Sequence, residues 1–216
     1  MAAVEALLVN EKTTFEGKFH RFRNIASLPR PVQRPRPPFW IAAFSTEESF
    51  RTAGENGHDI MAIPLSGAAM APLIRTYREA WQGAGHPGKG RVMVAFHRYC
   101  APTDEGAFTT AEPLVNAYLH SLHEAASDWG HLTSKDYPNY DKLIEGLRTS
   151  DFRKQVEQNA VLVGTPETIG KTLRSFLAEV GGFEVSSLQV NFHTLAETDA
   201  QRSVRLFARE VMPKFQ

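Results

Sequence analysis

The fold of this chain is decided by the stretch Pro37-Pro38-Phe39-Trp40-Ile41-Ala42-Ala43-Phe44-Ser45-Thr46-Glu47-Glu48-Ser49-Phe50. The two prolines stop regular structure, and the apolar run over residues 39–44 has the length of a buried strand. Ser45 or Thr46 can then cap a helix that begins in the next residues. Hydroxyl groups beside free backbone N–H groups at a helix start favour a phosphate, although an ordinary capped strand-to-helix junction has the same local pattern.

The composition is that of a globular protein able to bury a sizeable core, with 216 residues of which 42% are hydrophobic. Lys plus Arg equals Asp plus Glu at 24 each, so the overall charge gives no reason to expect nucleic acid or a membrane surface as partner. Cys100 is the only cysteine, which excludes an internal disulfide and a thiolate metal cluster. We therefore expect a cytoplasmic protein, and no apolar run has transmembrane length.

Strands and helices are predicted to alternate along most of the chain. Besides the strand at 39–44, strands are predicted at 58–64, 91–99 and 185–192. Helices are predicted at 47–56, around residues 73–81, at 166–180 behind a Thr165 cap, and at 197–210. This alternation indicates four parallel strands with covering helices, which form either half of a (β/α)8 barrel or a small open sheet.

The first 38 residues are predicted to form a lead-in to this α/β region. It comprises a helix at 3–10, a hairpin at 13–22 around Gly17, and a proline-rich stretch at 29–38. We interpret that stretch as a stiff connector, and the alternative is a polyproline ligand of the SH3 type.

Residues 101–159 are predicted to form a helical insertion before the last barrel unit. Helices are expected at 104–127, with Pro113 as a kink or start, and at 141–158, with a loop at 129–140 between them. The whole chain is then a single partial barrel domain whose barrel units are 39–100 and 160–216.

Six motifs keep their order and spacing across nearly the whole chain. They are Phe15-Glu-Gly-Lys-Phe19, the opening stretch over 37–49, Ala53-Gly-Glu-Asn-Gly57, Tyr77-Arg-Glu-Ala-Trp81, Gly164-Thr-Pro-Glu167 and Leu206-Phe-Ala-Arg-Glu-Val-Met-Pro213. Together they resemble the luciferase-like flavin-dependent monooxygenases, which implies a (β/α)8 TIM barrel. The chain is similar only to the C-terminal half of that family, so its four strands would be the fifth to eighth barrel strands.

The resemblance implies a cofactor, partners and site residues. The expected cofactor is reduced FMN, with a deazaflavin as the less favoured choice, supplied by a separate flavin reductase for reaction of O2 with a small organic substrate. The residues assigned to the FMN phosphate are Ser45, Thr46 and Ser49. Glu47 and Glu48 would oppose a phosphate unless they point outward. The residues expected to line the flavin, or else to pack in the barrel core, are Ala42, Ala43, Phe44, Ile63 and Pro64.

Several polar residues are further candidates. His97 and Tyr99 share one strand face and are candidates for acid–base catalysis, against a hydrogen-bonded structural histidine. The candidates for the pocket floor are Gln189, Asn191 and His193. His120-x-x-His123-Glu124 has two imidazoles one helical turn apart, but no third ligand is identifiable, so no metal is assigned. The insertion corresponds to a lid region, with residues 137–140 as its loop, or is a solvent-facing excursion.

The expected function is flavin-dependent monooxygenation, and the isolated chain is expected to be inactive because the first half of the barrel is absent from it. Two alternatives stay open. One is a non-catalytic flavin-binding or scaffold half-barrel, which a homodimer could close, and the other is a truncated fragment of a full-length enzyme.

Overall fold

The predicted alternation of strands and helices is present in the computed structural model, which describes residues 1–128 and 140–215. The chain divides into two compact units, Met1–Trp40 and Ile41–Gln216. The predicted loop at 129–140 lies outside the described residues except for Tyr140, where a helix begins.

The first unit consists of a helix, a hairpin and the proline-rich stretch. Helix α1 spans Ala2–Val9, and β1 (Thr13–Glu16) pairs antiparallel with β2 (Arg21–Ile25), which confirms the predicted hairpin. The Arg30 guanidinium donates hydrogen bonds of 2.5–3.1 Å to the carbonyl groups of residues 7–10. These are carbonyls that a helix end leaves without partners, so Arg30 attaches the proline-rich stretch to α1 within this unit. The connector interpretation stays a prediction.

The second unit is built on a five-stranded sheet. Its strands are β3 (Trp40–Ala43), β4 (Asp59–Ala62), β5 (Val92–Cys100), β6 (Leu162–Gly164) and β7 (Val185–Gln189). They are ordered β3-β4-β5-β6, and β7 also pairs with β5. The pairings of β5 with β4, β6 and β7 are all parallel. The four expected barrel strands are therefore present, and the structure adds the short β6 beside the last three residues of β5.

Seven helices accompany the described part of this sheet. They are α2 (Glu47–Glu55), α3 (Gly67–Gly83), α4 (Asp104–Ala126), α5 (Tyr140–Arg148), α6 (Phe152–Glu157), α7 (Pro166–Val180) and α8 (Glu197–Glu210), followed by a 3₁₀ turn at Met212–Lys214. Helix α7 begins as predicted, because the Thr165 hydroxyl accepts a hydrogen bond from the Thr168 N–H at 3.2 Å.

Helix α4 begins at Asp104 as predicted, because the Thr103 hydroxyl caps it by accepting from Gly106 N–H at 3.1 Å, so Pro113 lies inside the helix and does not mark its start. Two other predicted boundaries are wrong. The helix predicted at 141–158 is two helices, because the Asp151 carboxylate caps α6 by accepting from Lys154 N–H at 2.8 Å. Strand β7 ends at Gln189 and not at residue 192, because the chain turns there and His193 has a φ of +52°.

Strand β5 determines which side chains face the helices. Val92, Val94 and Phe96 are fully buried in the main core, together with residues from α2, α3, α7 and α8. Burial of each such side chain stabilises the fold by about 1.5–3 kcal/mol. Side chains alternate across a strand, so Met93, Ala95 and His97 lie on the opposite face of β5 and are only half-buried.

Candidate functional site

A cavity of about 500 Å³ lies at the carboxyl ends of the parallel strands. The residues that these strands and their following loops contribute to its wall are Phe44, Ser45, Ile63, Pro64, Leu65, Ser66, Ala95, His97 and Gln189. The carboxyl ends of the strands are the face of a (β/α)8 barrel that carries its active site. The volume falls within the range of about 300–1,000 Å³ that is usual for small-molecule sites.

The helical insertion forms the rest of the wall, apart from Ala69 of α3. Its contributing residues are Tyr118, Leu119 and Leu122 of α4, Gly146 and Leu147 of α5, Ser150 between helices, and Lys154, Gln155 and Gln158 around α6. The insertion is therefore more than a solvent-facing excursion, because its described helices line the cavity. The predicted lid loop at 137–140 lies outside the described residues apart from the backbone of Tyr140.

His97 lies in the cavity wall and is held by aromatic packing. Its ring centroid is 4.4 Å from that of Tyr118 and 5.4 Å from that of Phe192, both edge to face. The Nε2 atom is buried and has no hydrogen-bond partner among the described residues. Burial lowers the pKa of His97 to about 4, so the imidazole is neutral at pH 7. The structure thus shows a histidine with a free polar atom rather than a fully hydrogen-bonded one.

Tyr99 does not join His97 in the cavity. It is 7% exposed and packs in a second hydrophobic cluster with α4, including Ala107 and Val115. The strand end at Tyr99 pairs with β6, opposite Val163. Sharing a strand face with His97 therefore does not bring Tyr99 into the cavity, because α4 and β6 bury the end of β5, and a catalytic role of Tyr99 stays a prediction.

The hydroxyl residues after β3 occupy the start of α2. Ser45 lines the cavity, and Thr46 is the N-cap of α2, but its side chain makes no capping hydrogen bond among the described residues. Ser49 lies in the first turn and is half-buried. Thr46 and Ser49 are thus adjacent to the cavity in the chain without lining it.

The two acidic residues in the first turn of α2 lie beside a cation of the same helix. Glu47 and Glu48 are exposed and lie 2.5 Å and 3.9 Å from Arg51 nitrogens. Arg51 compensates part of their charge, so the objection that they repel a phosphate is weakened.

The remaining predicted residues divide between the cavity and other regions. Ile63, Pro64 and Gln189 line the cavity, and Gln189 stands opposite His97 in the register of β5 and β7. Ala43 instead packs against the main core. Asn191 and His193, which were predicted to form the pocket floor, lie exposed at the surface after β7.

Sequence reasoning missed Ser66 and the residues of α6. Ser66 follows β4 as Ser45 follows β3, and its hydroxyl accepts a hydrogen bond from Ala69 N–H at the start of α3. That repeated strand–serine–helix pattern is a usable signal. Lys154, Gln155 and Gln158 had no such signal, because only the packing of the insertion brings them to the cavity.

The paired histidines of α4 lie elsewhere. His120 is 3.4 Å from Glu124 and borders, with His123 and Arg148, a separate cavity of about 370 Å³. Within residues 1–128 and 140–215, no three His, Cys, Asp or Glu side chains converge to hold a metal ion. In the same residues, no helix is long and apolar enough to cross a membrane.

Comparison of the sequence and the structure with known proteins shows the family of this chain. The sequence profile of the luciferase-like monooxygenases matches residues 1–183. The chain belongs to the luciferase-like monooxygenase family. A relative within this family is the 3,6-diketocamphane 1,6-monooxygenase of Pseudomonas putida, which is 28% identical over 184 residues, covering 82% of this chain and 47% of that protein.

Two solved structures share the fold of this luciferase-like chain. Monooxygenase RslO1 from Streptomyces bottropensis has a TM-score of 0.75 at 25% identity, over 100% of this chain and 59% of its own. The second structure is the oxygenating constituent of 3,6-diketocamphane monooxygenase from Pseudomonas putida, a type II Baeyer–Villiger enzyme in complex with FMN. It has a TM-score of 0.71 at 22% identity, over 98% of this chain and 60% of its own. The predicted family and partial barrel are thus confirmed.

The luciferase-like chain spans about half the length, or less, of the relatives that it matches, at 28%, 47% and 46% of three such proteins. Members of the family are flavin-dependent monooxygenases. The family and the position of the cavity are therefore established, and the activity of this chain is a matter for proposal.

Proposed function

We propose that this chain binds FMN in the cavity at the carboxyl ends of its strands and takes part in oxygenation of a small organic molecule. A separate reductase in the cytoplasm would supply reduced FMN. The observation that carries the proposal is the cavity itself, whose wall joins apolar residues to Ser45 at the start of α2. Reduced FMN supplies the activation of O2 when it is bound.

The start of α2 fits the phosphate of FMN. A helix N-terminus carries roughly half a positive elementary charge, with backbone N–H groups directed outward. We assign the phosphate to the hydroxyls of Ser45, Thr46 and Ser49 and to these N–H groups. The Thr46 hydroxyl supports this role, because no capping hydrogen bond within the described residues occupies it.

The apolar wall fits the flavin ring. Phe44, Ile63 and Pro64 follow β3 and β4 and line the cavity, so we assign them to contacts with the isoalloxazine. Ala43 packs behind them in the core, and its proposed role is to support this wall. The helices of the insertion exclude water from the bound cofactor, which protects reactive species from hydrolysis.

We assign His97 the role of a hydrogen-bonding residue and not that of an acid–base catalyst. A neutral imidazole can donate or accept one hydrogen bond at Nε2, depending on the tautomer. That atom has no partner in the described part of the chain, and satisfying a buried polar atom is worth about 1–3 kcal/mol. We propose that His97 Nε2 binds a polar atom of the substrate or cofactor.

The proposal is tested by titration with FMN and with riboflavin, which lacks the phosphate. Ser45→Ala combined with Thr46→Ala is expected to weaken FMN binding roughly tenfold, since about 1.4 kcal/mol is lost, and to leave riboflavin binding unchanged. Thr52→Ala is the matched control, because Thr52 is an exposed hydroxyl on the far half of α2. Unchanged FMN affinity in the double variant would contradict the phosphate assignment. Tighter binding of a deazaflavin than of FMN would reverse the choice of cofactor.

The alternative function is a flavin-binding or scaffold half-barrel without catalysis. It is favoured by the sheet, which does not close within the described residues. Oxygen uptake with an added flavin reductase, NADH and candidate substrates separates the two functions, because only an oxygenase consumes O2 in a substrate-dependent way. Light scattering on the same sample shows whether a homodimer forms.

A further inference from the structure

The cavity wall contains one basic side chain and no acidic one. Among its described lining residues, Lys154 is the only Lys or Arg, and none is Asp or Glu. The other polar side chains of the insertion in this wall are the neutral amides of Gln155 and Gln158 and the hydroxyls of Ser150 and Tyr118.

Lys154 also has no charged partner. It is half-buried, and no carboxylate of the described residues lies within ion-pair distance of its ammonium group. The adjacent Arg153 differs: it is exposed and donates two hydrogen bonds of 2.6–2.9 Å to Glu112. Arg153 therefore forms an ion pair at the exposed surface of α6, whereas the neighbouring Lys154 lies at the cavity without a carboxylate partner in the described residues.

A half-buried cation without a counter-charge favours an anionic ligand, because part of its hydration is already lost and a carboxylate restores the lost interactions. The insertion also contributes the aliphatic side chains of Leu119, Leu122 and Leu147 to this wall. An anionic group on an apolar body matches this combination of surfaces.

We propose that Lys154 binds the carboxylate of a small, mainly apolar substrate and thereby selects carboxylic acids for the reaction. This inference rests on the proposed function, since the ligand is taken to be the molecule that is oxygenated. The FMN phosphate is assigned to the start of α2, a different segment of the wall, so the two anions use different groups of the chain.

The test compares two probes of nearly equal shape, octanoate and its uncharged amide octanamide, by isothermal titration calorimetry. The wild-type chain is expected to bind octanoate roughly tenfold more tightly than octanamide, which corresponds to about 1.4 kcal/mol. Lys154→Met keeps the length of the side chain and is expected to abolish the preference while leaving octanamide affinity unchanged. Arg153→Met is the matched control and is expected to keep the preference.

The inference is overturned if the wild-type chain binds both probes equally, or if Lys154→Met retains the preference. It is also overturned if Lys154→Met weakens FMN binding but not riboflavin binding, because Lys154 would then serve the phosphate. If the proposed function is wrong, the wild-type chain binds no FMN. This result is independent of whether the chain prefers octanoate to octanamide, so the two failures are distinguishable. Thermal unfolding of each variant verifies that the fold is kept.

Discussion

The amino ends of the parallel strands differ from the cavity at the carboxyl ends in how their polar groups are satisfied. At the amino ends, Asp59 accepts hydrogen bonds of 2.5–3.2 Å from Arg91, and Glu184 accepts from Arg78 and from Val92 N–H at 2.8–2.9 Å. At the carboxyl ends, His97 Nε2 and Lys154 have no such partners in the described chain.

This difference separates stability from binding. Paired groups at the amino ends contribute to the free energy of unfolding and are engaged within the fold. Unpaired groups at the carboxyl ends reduce stability and are available to bind. Such groups at a cavity are typical of functional sites, where a local loss of stability is tolerated because the groups are needed for binding.

The largest expected effect is at the amino ends. Although burial alone would raise it, the pKa of Glu184 is lowered by hydrogen bonds from Val92 N–H, Arg78 and Lys89. Glu184→Ala removes the shared acceptor and is expected to cost about 2–3 kcal/mol of unfolding free energy, measured by urea denaturation.

The control for this variant is Glu167→Ala, which breaks an exposed pair with Lys171 and is expected to change stability little. FMN affinity is expected to stay unchanged in Glu184→Ala under conditions where it is folded. Loss of FMN binding by the folded variant would show that the two ends are not separate in function.

The opposite effect is expected at the carboxyl ends. His97→Phe removes the unpaired Nε2 and keeps an aromatic ring against Tyr118 and Phe192. Its unfolding free energy at pH 7 is expected to rise by about 1 kcal/mol, while turnover or substrate affinity falls. A variant that is both less stable and fully active would contradict the assignment of His97.

The pH dependence of stability provides a second measurement on the same variant. The pKa of His97 is lowered by burial to about 4 in the folded chain and is about 6.5 when unfolded. Between these values the unfolded chain binds the extra proton, so wild-type stability falls as the pH falls from about 6.5 to 4. His97→Phe is expected to flatten this part of the curve, and an unchanged slope would show that another group titrates.

The smallest expected effect concerns Arg51, which pairs with Glu47 and Glu48 beside the proposed phosphate site. Arg51→Gln leaves both carboxylates uncompensated and is expected to weaken FMN binding about twofold to threefold, in line with helix-end charge effects of about 0.3–1 kcal/mol. The loss should shrink at high salt because the groups are exposed. A loss that does not depend on salt would indicate a direct contact.

Local patterns predicted the elements but not the site. The two-residue period of β5 and the Thr165 cap with Pro166 are complete within a few residues, so strand and helix followed from the sequence. The Asp151 cap was missed because the residues on both sides of it favour a helix. The break between α5 and α6 is stabilised by a residue distant in sequence, Asn116, which accepts a hydrogen bond from Phe152 N–H at 2.7 Å. Lys154 reaches the cavity through the packing of three helices, which no local pattern contains.

One crossed comparison tests whether FMN binds at the carboxyl ends of the strands while the amino ends stabilise the fold. FMN affinity and unfolding free energy are measured for Ser45→Ala with Thr46→Ala and for Glu184→Ala. We expect the first variant to lose roughly tenfold in FMN affinity with little change in stability, and the second to lose stability but keep its affinity. The same pattern of losses in both variants, or unchanged FMN affinity in the first, would contradict this expectation.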